Sequence, residues 1–153
     1  MLDSLKQITT RALQNGITHF VVGVIIVKNG SVLIVKRVPN DFLGGYYELP
    51  GGGVENNETL EDAVVRETFE ETGLTVSSIN AVYDGFDYTH DDKKVKQINF
   101  LIDVTDHNVK LNPDEHDSFT WVSLEELNKY PMTKKIEKTI TEIFTKGVIK
   151  IEE

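Results

Sequence analysis

The chain has 153 residues, which suits one domain with a buried core and is short for two, and no repeat or low-complexity linker divides it. We therefore expect a single domain over 1–153. Its 25 acidic and 16 basic side chains leave a formal charge of −9, which argues against a nucleic-acid polymer as partner, and the absence of Cys excludes a disulfide framework or thiolate chemistry.

Residues 2–15 fit a short helix within an N-terminal extension, 1–16. Asp3 and Lys6 break up its apolar residues, which argues against a signal peptide. The longest apolar run, Phe20 to Val27, is far short of a membrane span, so no membrane partner and a cytoplasmic location are expected.

Thr18 to Val27 is rich in Val and Ile and reads as a buried strand. Asn29-Gly30 is a hairpin turn, and Ser31 to Arg37 is the antiparallel partner. Pro39 to Gly45 is a loop. Alternation lets only one of Lys36 and Arg37 face a site at the end of that strand. Arg37 is the choice for gripping phosphate, because its planar fork makes two contacts at once.

Between Gly52 and Leu74 a glycine turn leads into a helix unusually rich in carboxylates. The helix is predicted to start near Thr59, spaced from Asp62 as in a capping box, and to stop at Gly73. Glu67, Glu70 and Glu71 stand at i, i+3 and i+4, which brings their carboxylates together on one face. Leu60, Ala63 and Val64 share that side, so the stripe is predicted to be shielded and in need of a cation; the alternative is an ordinary solvated acidic face. Carboxylate oxygens without Cys or clustered His suit Mg²⁺ or Mn²⁺. From Glu48 to Glu71 the chain carries eight acids and one base, so an anionic ligand needs such an ion to approach.

Strands are predicted at about 75–86 and 95–104, joined by a polar turn around His90-Asp91-Asp92, with a short strand at Phe119 to Val122. Ser123 with Glu126 is predicted to cap a short helix. Thr133 to Lys146 is a final amphipathic helix using Ile136, Ile140 and Ile143, stopped by Gly147. His90, His107 and His116 read as exposed loop residues and Trp121 as core. Base stacking could come from Phe42, Tyr46, Tyr47, Phe86 or Tyr88.

Gly52, Glu58, Arg66, Glu67, Glu70, Glu71, Gly73 and Leu74 match the pattern G-x5-E-x7-R-E-U-x-E-E-x-G-U, with U aliphatic, and here the chain resembles the Nudix hydrolases. Eight of nine positions agree over residues 52–74; Thr68 stands at the first U and keeps a β-branched shape. Glu48-Leu49-Pro50-Gly51-Gly52 resembles the family's approach to the box. The resemblance implies an α/β fold with a mixed β-sheet sandwiched between α-helices, and hydrolysis of a nucleoside diphosphate derivative by metal-activated water.

By that resemblance Glu70 and Glu71 are principal metal ligands, and Glu67 is a further ligand or the general base. Glu115, six residues before Trp121, is the candidate ligand or base from a later loop, with a solvated loop as its alternative. Arg66, the one cation of the box, is counted with the catalytic set and expected to brace Glu58, the alternative being a surface pair with Asp62 or Glu70. Gly52 is counted with Arg37 at the substrate, and a Gly51 or Gly52 carbonyl is a further metal ligand to test.

The box leaves the substrate open. No proline stands near Asp87-Tyr88-Thr89-His90, as ADP-ribose pyrophosphatases tend to have, and Tyr88 comes early for dinucleoside polyphosphate hydrolases. Nor is a coenzyme A type motif apparent upstream of the box. By subtraction a MutT-type nucleoside triphosphate pyrophosphohydrolase is favoured. ADP-ribose or another nucleotide sugar is the alternative substrate, and a catalytically silent nucleotide sensor is the alternative of another class. Members of the family are often dimers. The N-terminal apolar residues and the tail Val148-Ile149-Lys150-Ile151 could serve a homodimer or cover the domain's own core.

Overall fold

The structure is a computed structural model that describes residues 2–147, with side chains from residue 4 onward. Strand β1 (His19–Lys28) turns through Asn29 and Gly30, at φ 49° and 76°, into β2 (Ser31–Arg37). Both positions are left-handed, the signature of the two-residue hairpin that matches strand twist. The two strands pair at the turn, Val27 opposite Val32 and Lys28 opposite Ser31. Away from it each takes other partners, and that divergence makes the site.

On one side of the divergence, β1 lies parallel to β6 (Lys93–Val104) from His19 opposite Val95 to Ile26 opposite Ile102. Its opening residues also pair antiparallel with β4 (Gly51–Gly53). Strand β5 (Val76–His90) runs antiparallel to β6 at the edge. On the other side, β2 pairs antiparallel with β3 (Tyr47–Glu48) and with β7 (His116–Val122). The result is one mixed sheet with path β3-β2-β1-β6-β5.

Alternation along the strands sorts two cores onto opposite faces. Val22, Val24, Ile26, Ile98, Phe100 and Ile102 pack with Leu5 and Ile8 of α1 (Leu2–Gln14) and with Ala63 and Val64 of α2 (Leu60–Thr72). Ile25, Val32 and Ile34 pack with Ile136, Ile140, Ile143 and Phe144 of α3 (Lys134–Thr145). The sheet is therefore sandwiched between helices, as expected. The N-terminal helix covers the chain's own core, while the tail Val148–Ile151 lies outside the described residues. No helix among the described residues is long and apolar enough to cross a membrane.

Several boundaries differ from expectation. The β5–β6 hairpin runs on to His90 and Lys93, with Asp91 and Asp92 alone in the turn at φ 48° and 65°. Polar residues such as Asp87, Thr89 and Lys94 carry that extension, so apolar patterning does not reveal it. Irregularities at Val76/Ser78, Ile79/Ala81 and Asp84/Phe86 also break the alternation. Strands β3 and β4, of two and three residues, are too short to show a period. The helix after Ser123 is a 3₁₀ segment, Leu124–Lys129, and Ser123 meets the Glu126 carboxylate at 3.4 Å without capping a backbone N–H. Strand β7 begins at His116 rather than Phe119, which buries a histidine expected to be exposed.

Candidate active site

Strand β4 and helix α2 are joined by a loop that is locally well determined. Thr59 accepts the N–H of Asp62 at 3.0 Å and so caps α2, while Gly73 at φ 71° closes the helix by donating its N–H to Phe69. Thr68, the departure from the box pattern, is fully buried and donates its hydroxyl to the Val64 carbonyl at 2.6 Å, so its polar atom is satisfied.

Arg66 ties this loop to the helix. Its Nε and one terminal nitrogen grip both oxygens of Glu58 at 2.7 and 2.8 Å, and the same nitrogen donates to the Gly53 carbonyl at 2.9 Å. The other terminal nitrogen reaches Glu67 at 2.8 Å and Glu70 at 3.2 Å. The brace to Glu58 and the surface pair to Glu70 therefore coexist. The Arg66 hydrogen bonds hold the Glu58 carboxyl down at about 2, and the same contacts raise the pKa of Arg66.

The three box glutamates occupy three environments. Glu70 has a side chain 53% exposed, Glu67 only 12%, and Glu71 5%. Burial, only partly offset by Arg66, raises the Glu67 carboxyl above its ordinary value. Glu71 accepts the Gly51 N–H at 2.6 Å, yet burial, reinforced by the nearby Glu48, Glu115 and Glu67 charges, pushes its carboxyl up to about 9. A Cβ on Gly52 would collide with the Glu67 carboxylate, and one on Gly51 with the Val22 carbonyl, so both glycines exist for close approach.

Glu71, Glu115 and His116 each bring a ligand atom within 4.8 Å of the other two. The loop bearing Glu115 is fixed from both ends. The Asn112 side chain accepts the Asp114 N–H at 3.1 Å, and the Glu115 carbonyl accepts the Val38 N–H at 3.1 Å. His116 lies 2% exposed between two carboxylates, its Nε2 2.9 Å from Glu48 and its Nδ1 3.2 Å from Glu71. That Nδ1 is sealed from solvent and lacks hydrogen-bond alignment with any partner. The structure thus brings Glu115 to Glu71, whereas Glu67 and Glu70 stand outside this compact set, drawn toward Arg66.

Beside this cluster is a cavity of about 440 Å³. Gly51, Gly52, Glu48 and Arg37 line its inner end, and Phe42, Tyr46, Tyr47, Phe86 and Tyr88 its walls. Arg37 reaches it, but its fork is already engaged, Nε to Glu48 at 3.0 Å and one terminal nitrogen to Asp41 at 2.9 Å. Burial lowers the Arg37 pKa, but the Glu48 carboxylate outweighs that and raises it. Lys36 turns instead to Asp117 at 3.6 Å. His90 stacks on Phe42 with centroids 4.7 Å apart at the cavity mouth. Trp121 is half-buried against the α2-side core, edge-on to His107.

Sequence reasoning missed Glu48, His116 and Gln97, which lines the same cavity. Glu48 stands just before the glycine strand and His116 directly follows Glu115, but neither position has a local period to mark it. Each is brought in by pairing with β2: Val35 faces Glu48 and Arg37 faces His116.

The family described as NUDIX domain matches residues 17–143. An 8-oxo-dGTP diphosphatase of Proteus vulgaris is 44% identical over 59 residues, 39% of this chain and 53% of that protein. An ADP-ribose pyrophosphatase of Methanocaldococcus jannaschii is 44% identical over 93 residues, 59% of this chain and 53% of that protein. The chain thus spans about half the length of these curated relatives. The crystal structure of a MutT NUDIX hydrolase from Burkholderia pseudomallei superposes with a TM-score of 0.73 at 25% identity, covering 82% of this chain and 98% of that one.

Proposed function

The chain belongs to the NUDIX domain family, and from that premise we propose that it is a metal-dependent hydrolase. In this reading it cleaves a phosphoanhydride bond of a nucleoside diphosphate derivative, in first place a nucleoside triphosphate, releasing monophosphate and pyrophosphate. The observation that carries the reading is that the Glu71–Glu115–His116 cluster and the aromatic cavity meet at one strand, Gly51–Gly52. A charge-rich centre and a stacking surface then share an edge, as a phosphate chain attached to a base requires.

Hard carboxylate oxygens with one imidazole suit Mg²⁺ or Mn²⁺, and the buried Glu71 carboxyl and the unaligned His116 Nδ1 leave donor capacity unused. Glu71 and Glu115, with Glu70 beside them, would hold the ion, which when bound offsets phosphate charge and lowers the pKa of water. Glu67, poised by partial burial next to Arg66, takes the proton of the attacking water. Arg66 keeps the loop, the Gly53 carbonyl and Glu67 in fixed relation. Arg37 orients the phosphate chain from the cavity side. A single compact unit over 1–153, acting in the cytoplasm, completes the reading.

ADP-ribose or another nucleotide sugar is the second reading, favoured by the longer alignment with the Methanocaldococcus pyrophosphatase. The test is product analysis with Mg²⁺ and a panel of canonical and oxidised nucleoside triphosphates, ADP-ribose, nucleotide sugars and dinucleoside polyphosphates. Pyrophosphate plus monophosphate supports the first reading, and AMP plus a sugar phosphate moves the assignment to the second. Silence across the panel, or full turnover by Glu70→Gln, overturns the mechanism and leaves a nucleotide sensor.

A further inference from the structure

The sheet face toward α3 carries two buried amides among apolar neighbours. Gln97 is 9% exposed and Asn99 1%, at alternate positions of β6 and therefore on one face, with Ile25 and Leu101 of the same layer in the apolar core. Burying an amide without partners costs roughly 1–3 kcal/mol, so the pair needs a reason. The neighbouring strand is shaped around it. Gly23 faces Asn99 across β1 and β6, and a Cβ there would collide with both side-chain amides.

The pair satisfies itself only in part. Gln97 Nε2 donates to Asn99 Oδ1 at 2.9 Å, which leaves Gln97 Oε1, its second N–H and the Asn99 amine free. Among the described residues the one sealed side-chain nitrogen or oxygen without a partner is His116 Nδ1, so the free amide atoms open onto cavity space. For Gln97 that space is the aromatic cavity beside the acidic cluster. The bond to Asn99 fixes which way the Gln97 amide points.

Resting on the nucleotide reading above, we propose that Gln97 is a specificity-determining residue that reads the hydrogen-bonding edge of the nucleobase, with Asn99 positioning its amide. The aromatic walls stack any base, since every base has a π-face, so they do not choose. An amide presenting a donor and an acceptor does choose, because the wrong base leaves a buried polar group unpaired.

The test measures binding of AMP, GMP, CMP and UMP to the full chain by calorimetry without divalent metal, alongside hydrolysis of the matching triphosphates with Mg²⁺. It uses wild type, Gln97→Leu, and Gln97→Glu, which keeps the shape and exchanges donor for acceptor. The expected result is a clear ranking in the wild type. Gln97→Leu should flatten it and weaken the preferred base about 10–100-fold, with the loss in KM, while Gln97→Glu should reorder it. Wild-type ratios retained in both variants, or no ranking in the wild type, overturn the proposal. A ranking that depends on Gln97 in a protein that turns over nothing supports the base reader and removes the hydrolase; turnover indifferent to Gln97 does the reverse.

Discussion

His116 Nδ1 lies 3.2 Å from the Glu71 carboxylate while its Nε2 sits 2.9 Å from Glu48, so one buried ring spans the two acids behind the glycine strand. A carboxylate meant to hold a cation must be kept in one rotamer, and groups that orient metal ligands commonly change metal affinity 10–100-fold when removed.

We therefore expect His116→Leu to weaken Mn²⁺ binding about 10–100-fold, with His116→Asn recovering part of it. Electron paramagnetic resonance titration of free Mn²⁺ measures this directly. Wild-type affinity in the Leu variant would remove the bracing role.

The neighbouring glycines should separate folding from function. A Cβ on Gly51 meets the Val22 backbone carbonyl, which cannot step aside, whereas one on Gly52 meets the end of the Glu67 side chain, which can. Gly51→Ala should cost about 1–3 kcal/mol of stability, the usual range for overpacking. Gly52→Ala should melt near the wild type yet lose turnover, because Glu67 is displaced. Denaturant unfolding alongside steady-state kinetics distinguishes the two, and a fully active Gly52→Ala would count against the role given to Glu67.

Acid sensitivity should trace to Glu58. Its folded carboxyl sits at about 2 against an ordinary 4.5, held down first by the Arg66 hydrogen bonds. A depressed pKa contributes stability that is present above pH 4.5 and lost as pH falls toward 2. Melting temperatures across that window should fall less steeply in Glu58→Gln than in the wild type. Parallel curves would mean that the brace contributes nothing in solution.

Glu71 predicts the opposite slope in the metal-free protein. With its carboxyl raised from 4.5 to about 9 by burial, the native state holds a proton that the unfolded chain releases, so stability falls as pH rises through that window. A divalent cation supplies the missing compensation. The rise in melting temperature on adding Mg²⁺ should thus be larger near pH 8.5 than near pH 6, and Glu71→Gln should flatten the difference.

What the sequence determined by itself was local. The Asn29-Gly30 turn, the capped helix from Thr59 to Gly73, the Ile136–Ile140–Ile143 stripe and the carboxylate spacing depend on residues a few positions apart, and each stands where its pattern put it. The Glu58 partner of Arg66 was legible for the same reason, since the loop is short and holds few alternatives.

Tertiary structure alone decided which acids are dry and what backs them. Glu67, Glu70 and Glu71 look equivalent in the heptad spacing, and they differ because β7 and its loop cover one end of α2 and leave the other to solvent. His116, Glu48 and Gln97 enter the site through pairings between strands far apart in the chain. A one-residue change of register would turn each of them to the opposite face, and no nearby residue records which register is taken.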